Sequence, residues 1–300
     1  MKNILEVREI RKRFGSKQVL DGVSFSVPEH CVFGFIGRNG AGKTTTRRAV
    51  LGLLRTDGGE IEVCGEPVRY GAVPESGLIG YLPDVPEFYG CMTAPEYLRL
   101  CGEIAGIERS ALKTRCSELL GLVGLEKERH RIRGFSRGMK QRLGIAQALI
   151  SRPRLLICDE PTSALDPVGR REILEILRTA AEQTSVLFST HILSDVERIC
   201  GRAAFLEGGK IVLTGSMDEL RAMRSDTDLA LTLSDPADTE KVTAAFPQAS
   251  LSDGRLIFPK ASEKDCAALM AFLAEKMIPV TRLERHEADL EDLFMEVIGK

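Results

Sequence analysis

No stretch of this 300-residue sequence approaches the ~20 consecutive apolar residues that a membrane-crossing helix needs. The chain is therefore not expected to cross a bilayer by itself. Its start, Met1-Lys2-Asn3-Ile4-Leu5-Glu6, is charged too early for the apolar core of a secretory signal. Eight cysteines are present, but none form a C-x-x-C pair, and the four histidines show no metal-ligand spacing. That excludes a zinc framework. Cys31 and Cys158 lie in apolar strand runs, so the cysteines read as small core residues in a reducing cytosol. Neither sign of charge is in excess: 41 Lys+Arg against 43 Asp+Glu leave −2. A chain so balanced is no general polyanion binder, and no nucleic-acid partner is expected. The basic cluster Arg8, Arg11, Lys12 and Arg13 reads as a solvated face. No heptad run is present.

What the chain does have is 43% hydrophobic and 28% charged residues, ample for a globular core. Its length suggests roughly two domains. Residues 37 to 45 read Gly37-Arg38-Asn39-Gly40-Ala41-Gly42-Lys43-Thr44-Thr45, a complete phosphate-binding loop of the form G-x-x-x-x-G-K-[ST]. An apolar run, Val32-Phe33-Gly34-Phe35-Ile36, leads into it as a buried strand, and the residues after Lys43 can start a helix. In such a loop the glycines let backbone N–H groups turn onto phosphate oxygens, where the helix start adds partial positive charge. Lys43 is placed to reach the β- and γ-phosphates and Thr44 to ligate Mg²⁺. A nucleoside triphosphate is the expected ligand.

The flanking segments alternate like half-buried strands, with Val23, Phe25 and Val27, then Ile61 and Val63, on one side. From about 92 to 150 the period becomes helical. Thr93-Ala94-Pro95-Glu96 is a capping box, and Leu112, Cys116, Leu119, Leu120 and Val123 share a helical face. Two buried-strand runs follow, Leu155-Leu156-Ile157-Cys158 and Val186-Leu187-Phe188, then a hairpin turning at Gly208-Gly209. Strands with helices between them predict a doubly wound sheet. Composition shifts near Arg224-Ser225-Asp226-Thr227. Beyond it the pattern is strand (Leu229, Leu231, Leu233), short helix to Phe246, and two strands around Ser252-Asp253-Gly254. A helix opening at Ser262 through Leu269, Leu273 and Met277, and a strand from Val280 to Leu283, complete it. That order, β-α-β-β-α-β, predicts a small ferredoxin-like α+β domain.

A phosphate-binding loop alone leaves kinases, GTPases and motor ATPases open. The strand Leu155 to Cys158 ends in Asp159 and Glu160. Asp159 is placed to hold Mg²⁺ through water, and Glu160, on the opposite side of the pleat, to polarise the attacking water. Phe135-Ser136-Arg137-Gly138-Met139 precedes this pair, Ser163-Ala164-Leu165-Asp166 follows it, and Ser189-Thr190-His191 comes later. Together, in this order, these residues resemble the ATP-binding cassette family over roughly residues 1 to 220. The resemblance implies a P-loop NTPase cassette at 1–222, with an antiparallel β subdomain and a helical signature subdomain at about 86–150. The accessory domain is then 228–300.

The resemblance also assigns roles. Phe14 is placed to stack on adenine. The loop residues Gly37, Asn39, Gly40, Ala41, Gly42, Lys43, Thr44 and Thr45 hold phosphates. Ser136 and Gly138 of the signature, with Asp166 of the D-loop, complete a second protomer's site. His191 is the switch histidine beside the catalytic Glu160 and Lys43, and Thr44, Asp84 and Asp159 form the Mg²⁺ side. Three positions depart from the family pattern. Asp84 stands where a glutamine is usual, Arg137 replaces the first signature glycine, and Met139 replaces a glutamine. Arg137 is expected to point to solvent rather than toward the partner's γ-phosphate.

The resemblance further implies a head-to-tail homodimer, or a heterodimer with a sister cassette, closing on ATP. A separately encoded transmembrane permease would dock near Pro86-Glu87-Phe88-Tyr89, putting this chain peripherally on the inner face of the cell membrane. Ala288-Asp289-Leu290-Glu291-Asp292-Leu293-Phe294 resembles a C-terminal pattern of exporter cassettes, which favours export. The alternatives are a soluble cassette ATPase acting on ribosomes or DNA-repair assemblies, or a small-molecule phosphotransferase.

Overall fold

The computed structural model describes residues 2–72, 77–223, 228–252, 254–259, 261–286, 290 and 293–294. It divides the chain into two compact units, Met1–Met217 and Asp218–Lys300. The composition shift at 224–227 and most of the 288–294 pattern fall outside the described residues.

The first unit begins with two long strands, β1 (Asn3–Phe14) and β2 (Lys17–Pro28), followed by β3 (Val32–Gly37) and α1 (Lys43–Val50). Next come β4 (Gly58–Val63), the two-residue β5 (Glu66–Pro67) and β6 (Ile79–Leu82). Three helices follow: α2 (Ala94–Ile104), α3 (Arg109–Leu122) and α4 (Arg137–Ala148). The remainder is β7 (Leu155–Asp159), α5 (Pro167–Ala180), β8 (Ser185–Thr190), α6 (Leu193–Ile199), β9 (Arg202–Glu207) and β10 (Lys210–Ser216), and α7 (Met217–Ala222) leads into the second unit.

These strands form two sheets. One is antiparallel, in the order β2-β1-β4-β5; the other has six strands, β10-β9-β3-β8-β7-β6. Within the second, β3 runs parallel to β8 and β9, and β7 runs parallel to β8 and β6. The loop after β3 and the loop after β7 therefore leave the same end of the sheet, with β8 between them, the crevice where ligands of open α/β sheets bind. The edge strand β10 is antiparallel, returning through the Gly208-Gly209 turn. Both glycines have positive φ, 54° and 78°, as a two-residue hairpin turn of that kind requires.

One core joins the sheets. Leu5, Val7, Val23 and Val27 from the antiparallel sheet meet Phe33, Phe35, Leu155, Ile157 and Leu187 from the other. Phe25 stacks on Phe33 and Phe35, with ring centroids 5.8 and 4.9 Å apart. Helix α1 packs on β2, β3 and β4, α4 on β6, α5 on β8 and α6 on β3. The α3 face expected from the sequence is buried, with Leu112 at 2% and Leu119 at 2% exposure. Cys116, Cys158 and Cys200 are buried, whereas Cys91 is exposed and Cys31, just before β3, is half-buried.

The second unit runs β11 (Asp228–Leu233), α8 (Thr239–Ala245), β12 (Ser250–Ser252), β13 (Arg255–Phe258), α9 (Glu263–Glu275) and β14 (Val280–His286). Its sheet order, β12-β13-β11-β14, is antiparallel throughout and is that of the split β-α-β-β-α-β arrangement. Leu231, Val242, Leu256, Phe258, Leu269 and Leu273 make a separate core. Met277 does not join it. Helix α9 ends at Glu275, Met277 turns left-handed with φ 49°, and its side chain is exposed. The apolar period alone carries the helix past its true end.

Candidate nucleotide-binding and hydrolysis site

The loop after β3 has the backbone geometry of an anion cradle. Gly40 and Gly42 have φ of 86° and 116°, a region L side chains avoid. A Cβ at Gly42 would also lie 2.7 Å from Leu20 Cδ2 and 3.2 Å from the Val19 carbonyl. Only glycine fits there. Lys43 opens α1 and is buried, and its Nζ donates to the Gly37 carbonyl at 2.5 Å. Thr44 is exposed at the helix start, while Thr46 turns inward and donates to the Gly42 carbonyl. A buried ammonium beside the N–H groups and hydroxyl of a helix start suits phosphate oxygens and an oxygen-seeking cation.

Across the sheet, β7 delivers the two carboxylates differently from the pleat alternation expected. The strand stops at Asp159, and Glu160 takes a left-handed φ of 45°. The turn, not strand alternation, aims Glu160. Its backbone N–H donates to the Ser189 carbonyl on β8. Its side chain lies 3.2 Å from Lys43 Nζ through Oε1, and 2.8 Å from His191 Nδ1 through Oε2. Loop lysine, acid and histidine are thus one connected group.

Asp159 is held by a residue that none of the sequence motifs singles out. Arg47, one turn after Lys43 on α1, is 5% exposed and forms an ion pair with Asp159 Oδ1. Its guanidinium lies 5.7 Å from the Tyr81 ring centroid on β6. The available signal is spacing: position i+4 from Lys43 puts Arg47 on the same helix face. Burial pushes the Asp159 carboxyl above the ordinary aspartate range; Arg47 pulls it back, and Glu160 and Asp84 push it up further.

Asp84 faces the signature and the D-loop. Its Oδ1 accepts from Ser163 Oγ at 2.6 Å and lies 3.5 Å from Arg137 NH2, and its carbonyl accepts from Gln141 Nε2 at 2.8 Å. Arg137 also donates to Ser163 Oγ at 3.3 Å. Arg137 is exposed, as expected, but it is not free in solvent: its helix start lies beside the strand end that leads to Asp84, and the two side chains form an exposed ion pair. Two departures from the family pattern, Asp84 and Arg137, meet as opposite charges.

Ser136 N-caps α4, accepting from the Met139 N–H at 3.2 Å, and Gly138 sits in the first turn with its Cβ position open, 4.0 Å from Leu165. Asp166 likewise caps α5 by accepting from the Gly169 N–H at 3.1 Å. Within the chain, then, these D-loop and signature side chains are joined to their own helices. Phe14, at the end of β1, is 51% exposed with Lys12 Nζ 5.3 Å from its ring centroid. A further network, invisible in the sequence, centres on the buried Asp195: Arg170 and Thr162 meet it at 2.8 and 2.7 Å and tie α5 and α6 to the D-loop. No cluster suited to metal binding by His, Cys, Asp and Glu alone occurs among the described residues.

Known proteins match this arrangement. The family profile described as "ABC transporter" matches residues 20–163. An uncharacterized ABC transporter ATP-binding protein, YxlF of Bacillus subtilis (strain 168), is 35% identical over 98% of this chain and 99% of its own length. A Nod factor export ATP-binding protein I, from Ralstonia nicotianae, is 32% identical over 99% of this chain and 94% of its own. The solved structure titled "Structure of ATP binding subunit of ABC transporter" covers 73% of this chain and 92% of itself, at TM-score 0.65 and 32% identity. With site geometry and relatives in agreement, the chain belongs to the ATP-binding cassette family and is an ATP-binding, ATP-hydrolysing subunit of an ABC transporter.

Proposed function

We propose that this chain powers export through a separate membrane permease, by closing as a head-to-tail dimer on two ATP molecules. The observation that carries the hydrolysis half of this reading is Glu160 held between Lys43 and His191. ATP phosphates entering the loop draw Lys43 onto the β- and γ-phosphates. That frees Glu160 to accept the proton of the attacking water, with His191 fixing its other oxygen. Thr44 would ligate Mg²⁺, Asp159 would hold it through water, and Asp84 would accept from its bound water. Mg²⁺ held there would neutralise charge building on the phosphate oxygens.

The dimer half rests on the signature. The α4 N-terminus is capped by Ser136 and left open at Gly138, so its N–H groups suit a γ-phosphate presented by a second protomer. Asp166 of the D-loop and the exposed ring of Phe14, suited to an adenine, complete the site. The sister cassette is either a second copy or a related chain. Contacts made only while the γ-phosphate is present favour the closed state, and about 5.5 kcal/mol of differential binding would carry it from 1:99 to 99:1.

No helix among the described residues is long and apolar enough to cross a membrane; in this reading another chain supplies the load. Val85 and Tyr89 are exposed beside Asp84, and Phe88 packs edge-on against Tyr97 of α2, 5.1 Å between centroids. This apolar ledge fits a coupling helix of the permease, which would hold the chain at the inner face of the membrane. Export is favoured by the relative named for Nod factor export. Affinity purification of Glu160→Gln protein with ATP and Mg²⁺ from detergent-solubilised cells tests the reading. A polytopic membrane protein in near-equal amount is expected. Ribosomal or repair proteins without a membrane chain would overturn it in favour of a soluble switch.

A further inference from the structure

The site neutralises its own charges. Two cations of α1 face two carboxylates at the end of β7, as the pairs Lys43–Glu160 and Arg47–Asp159. The first pair is explained by the phosphate-binding role of Lys43. The second is not. The buried face of α1 otherwise holds Thr46, Ala49 and Val50, and packs into the main core. An arginine placed there loses its hydration, a cost that an ion pair offsets only when the remaining donors are also satisfied. They are not: Arg47 Nε is buried without an acceptor. The guanidinium rests between one carboxylate oxygen, which also accepts from Ser189 Oγ at 3.4 Å, and the face of Tyr81.

We infer that Arg47 is a tethered counter-cation for Asp159, holding that carboxylate before nucleotide binds and yielding it when a divalent cation arrives. The inference rests on the metal placement proposed above. A guanidinium and a divalent cation repel each other strongly in a buried, low-dielectric setting, so both cannot sit on Asp159 at full strength. Tyr81, on the neighbouring strand, offers the displaced guanidinium a cation–π surface close at hand. Arg47 thereby sets how much the metal adds to nucleotide binding. Without it Asp159 would be an uncompensated carboxylate before the metal binds and a stronger metal ligand afterwards. The two pairs then open together, the phosphates taking Lys43 from Glu160 and the metal taking Asp159 from Arg47. Asp159 therefore does not reach its working state on nucleotide alone.

The test is a thermodynamic cycle on the full chain, measuring how far saturating Mn²⁺ tightens binding of a non-hydrolysable ATP analogue. Four proteins are compared: the parent, Arg47→Met, Asp159→Asn, and the double variant, each first matched by its thermal unfolding. In Arg47→Met the Mn²⁺ enhancement should exceed that of the parent by about tenfold, within the usual range of coupling between sites. In the Asp159→Asn background the same substitution should change nothing, because the contested carboxylate is gone. Arg47→Lys, which keeps the charge but loses the planar fork, should fall between parent and Arg47→Met. An unchanged enhancement in Arg47→Met, or an effect that persists in the Asp159→Asn background, would overturn the inference and leave Arg47 a packing residue or a general field source. A Mn²⁺ enhancement that Asp159→Asn leaves at the parent value would overturn the metal placement itself, and the inference with it.

Discussion

Glu160 concentrates several demands on one residue: a left-handed backbone, an ammonium on one carboxylate oxygen and an imidazole on the other. Such a backbone costs on the order of 1–3 kcal/mol unless its surroundings enforce it, and the Ser189 carbonyl does so through the Glu160 N–H. Glu160→Gln keeps the size and the turn but cannot accept a proton. It should lower phosphate release by about 10²–10⁴-fold while fluorescent-nucleotide titration shows binding retained. Gly138 makes the opposite case, since its Cβ position is open within the chain. An aspartate there sits well with its own helix dipole but opposes an approaching phosphate. Gly138→Asp should melt at the parent temperature yet give no ATP-dependent dimer by size-exclusion chromatography in the Glu160→Gln background. At Gly42 the demand is internal, so Gly42→Ala should abolish nucleotide binding through the loop backbone itself, as the same titration would show.

At the scale of elements, the entrance to α2 shows how a four-residue pattern becomes a physical constraint. Glu96 accepts from the Thr93 backbone N–H at 2.8 Å and from its hydroxyl at 2.9 Å. Those two bonds, with Arg99 and Arg131 nearby, hold its carboxyl below the ordinary glutamate range. A value lower in the folded than in the unfolded chain adds stability above the unfolded value, lost as pH falls through the folded one. Glu96→Gln should therefore be less stable than the parent near pH 7. Urea unfolding followed at several pH values should show that difference shrinking as the pH falls through and below the ordinary glutamate range. The same box is readable in advance because it is local in sequence. The contact between Arg137 and Asp84 is not, since it joins the start of α4 to the end of β6, packed together in space but far apart along the chain.

At the scale of the molecule, each of the two compact units carries a hydrophobic core of its own among the described residues, which implies two separable stabilities. Leu231 is fully buried in the second core, and Leu231→Ala should destabilise that unit by about 2–5 kcal/mol. Calorimetry should show the loss in one transition only, with ATP affinity unchanged. A joint loss of both transitions and of affinity would mean that the units fold as one. We further propose that the C-terminal unit stabilises the closed dimer, which comparing ATP-dependent dimerisation of the same variant and the parent would test.

The elements and the chemistry that depend on neighbours in the chain are legible in the residues alone. Examples are the phosphate loop with Lys43, the acids after β7, the caps at Thr93 and Ser262, the glycine hairpin, and the β-α-β-β-α-β order of the second unit. Each follows from residue spacing, since a turn, a cap or a strand period is set within a few residues. The tertiary structure alone decided which charges meet. Arg47 on Asp159, Arg137 on Asp84 and Arg170 on Asp195 all bridge segments that are distant in sequence. Such pairings depend on how strands order in a sheet and how closely helices pack on it. A buried charge takes whatever partner that packing places within reach.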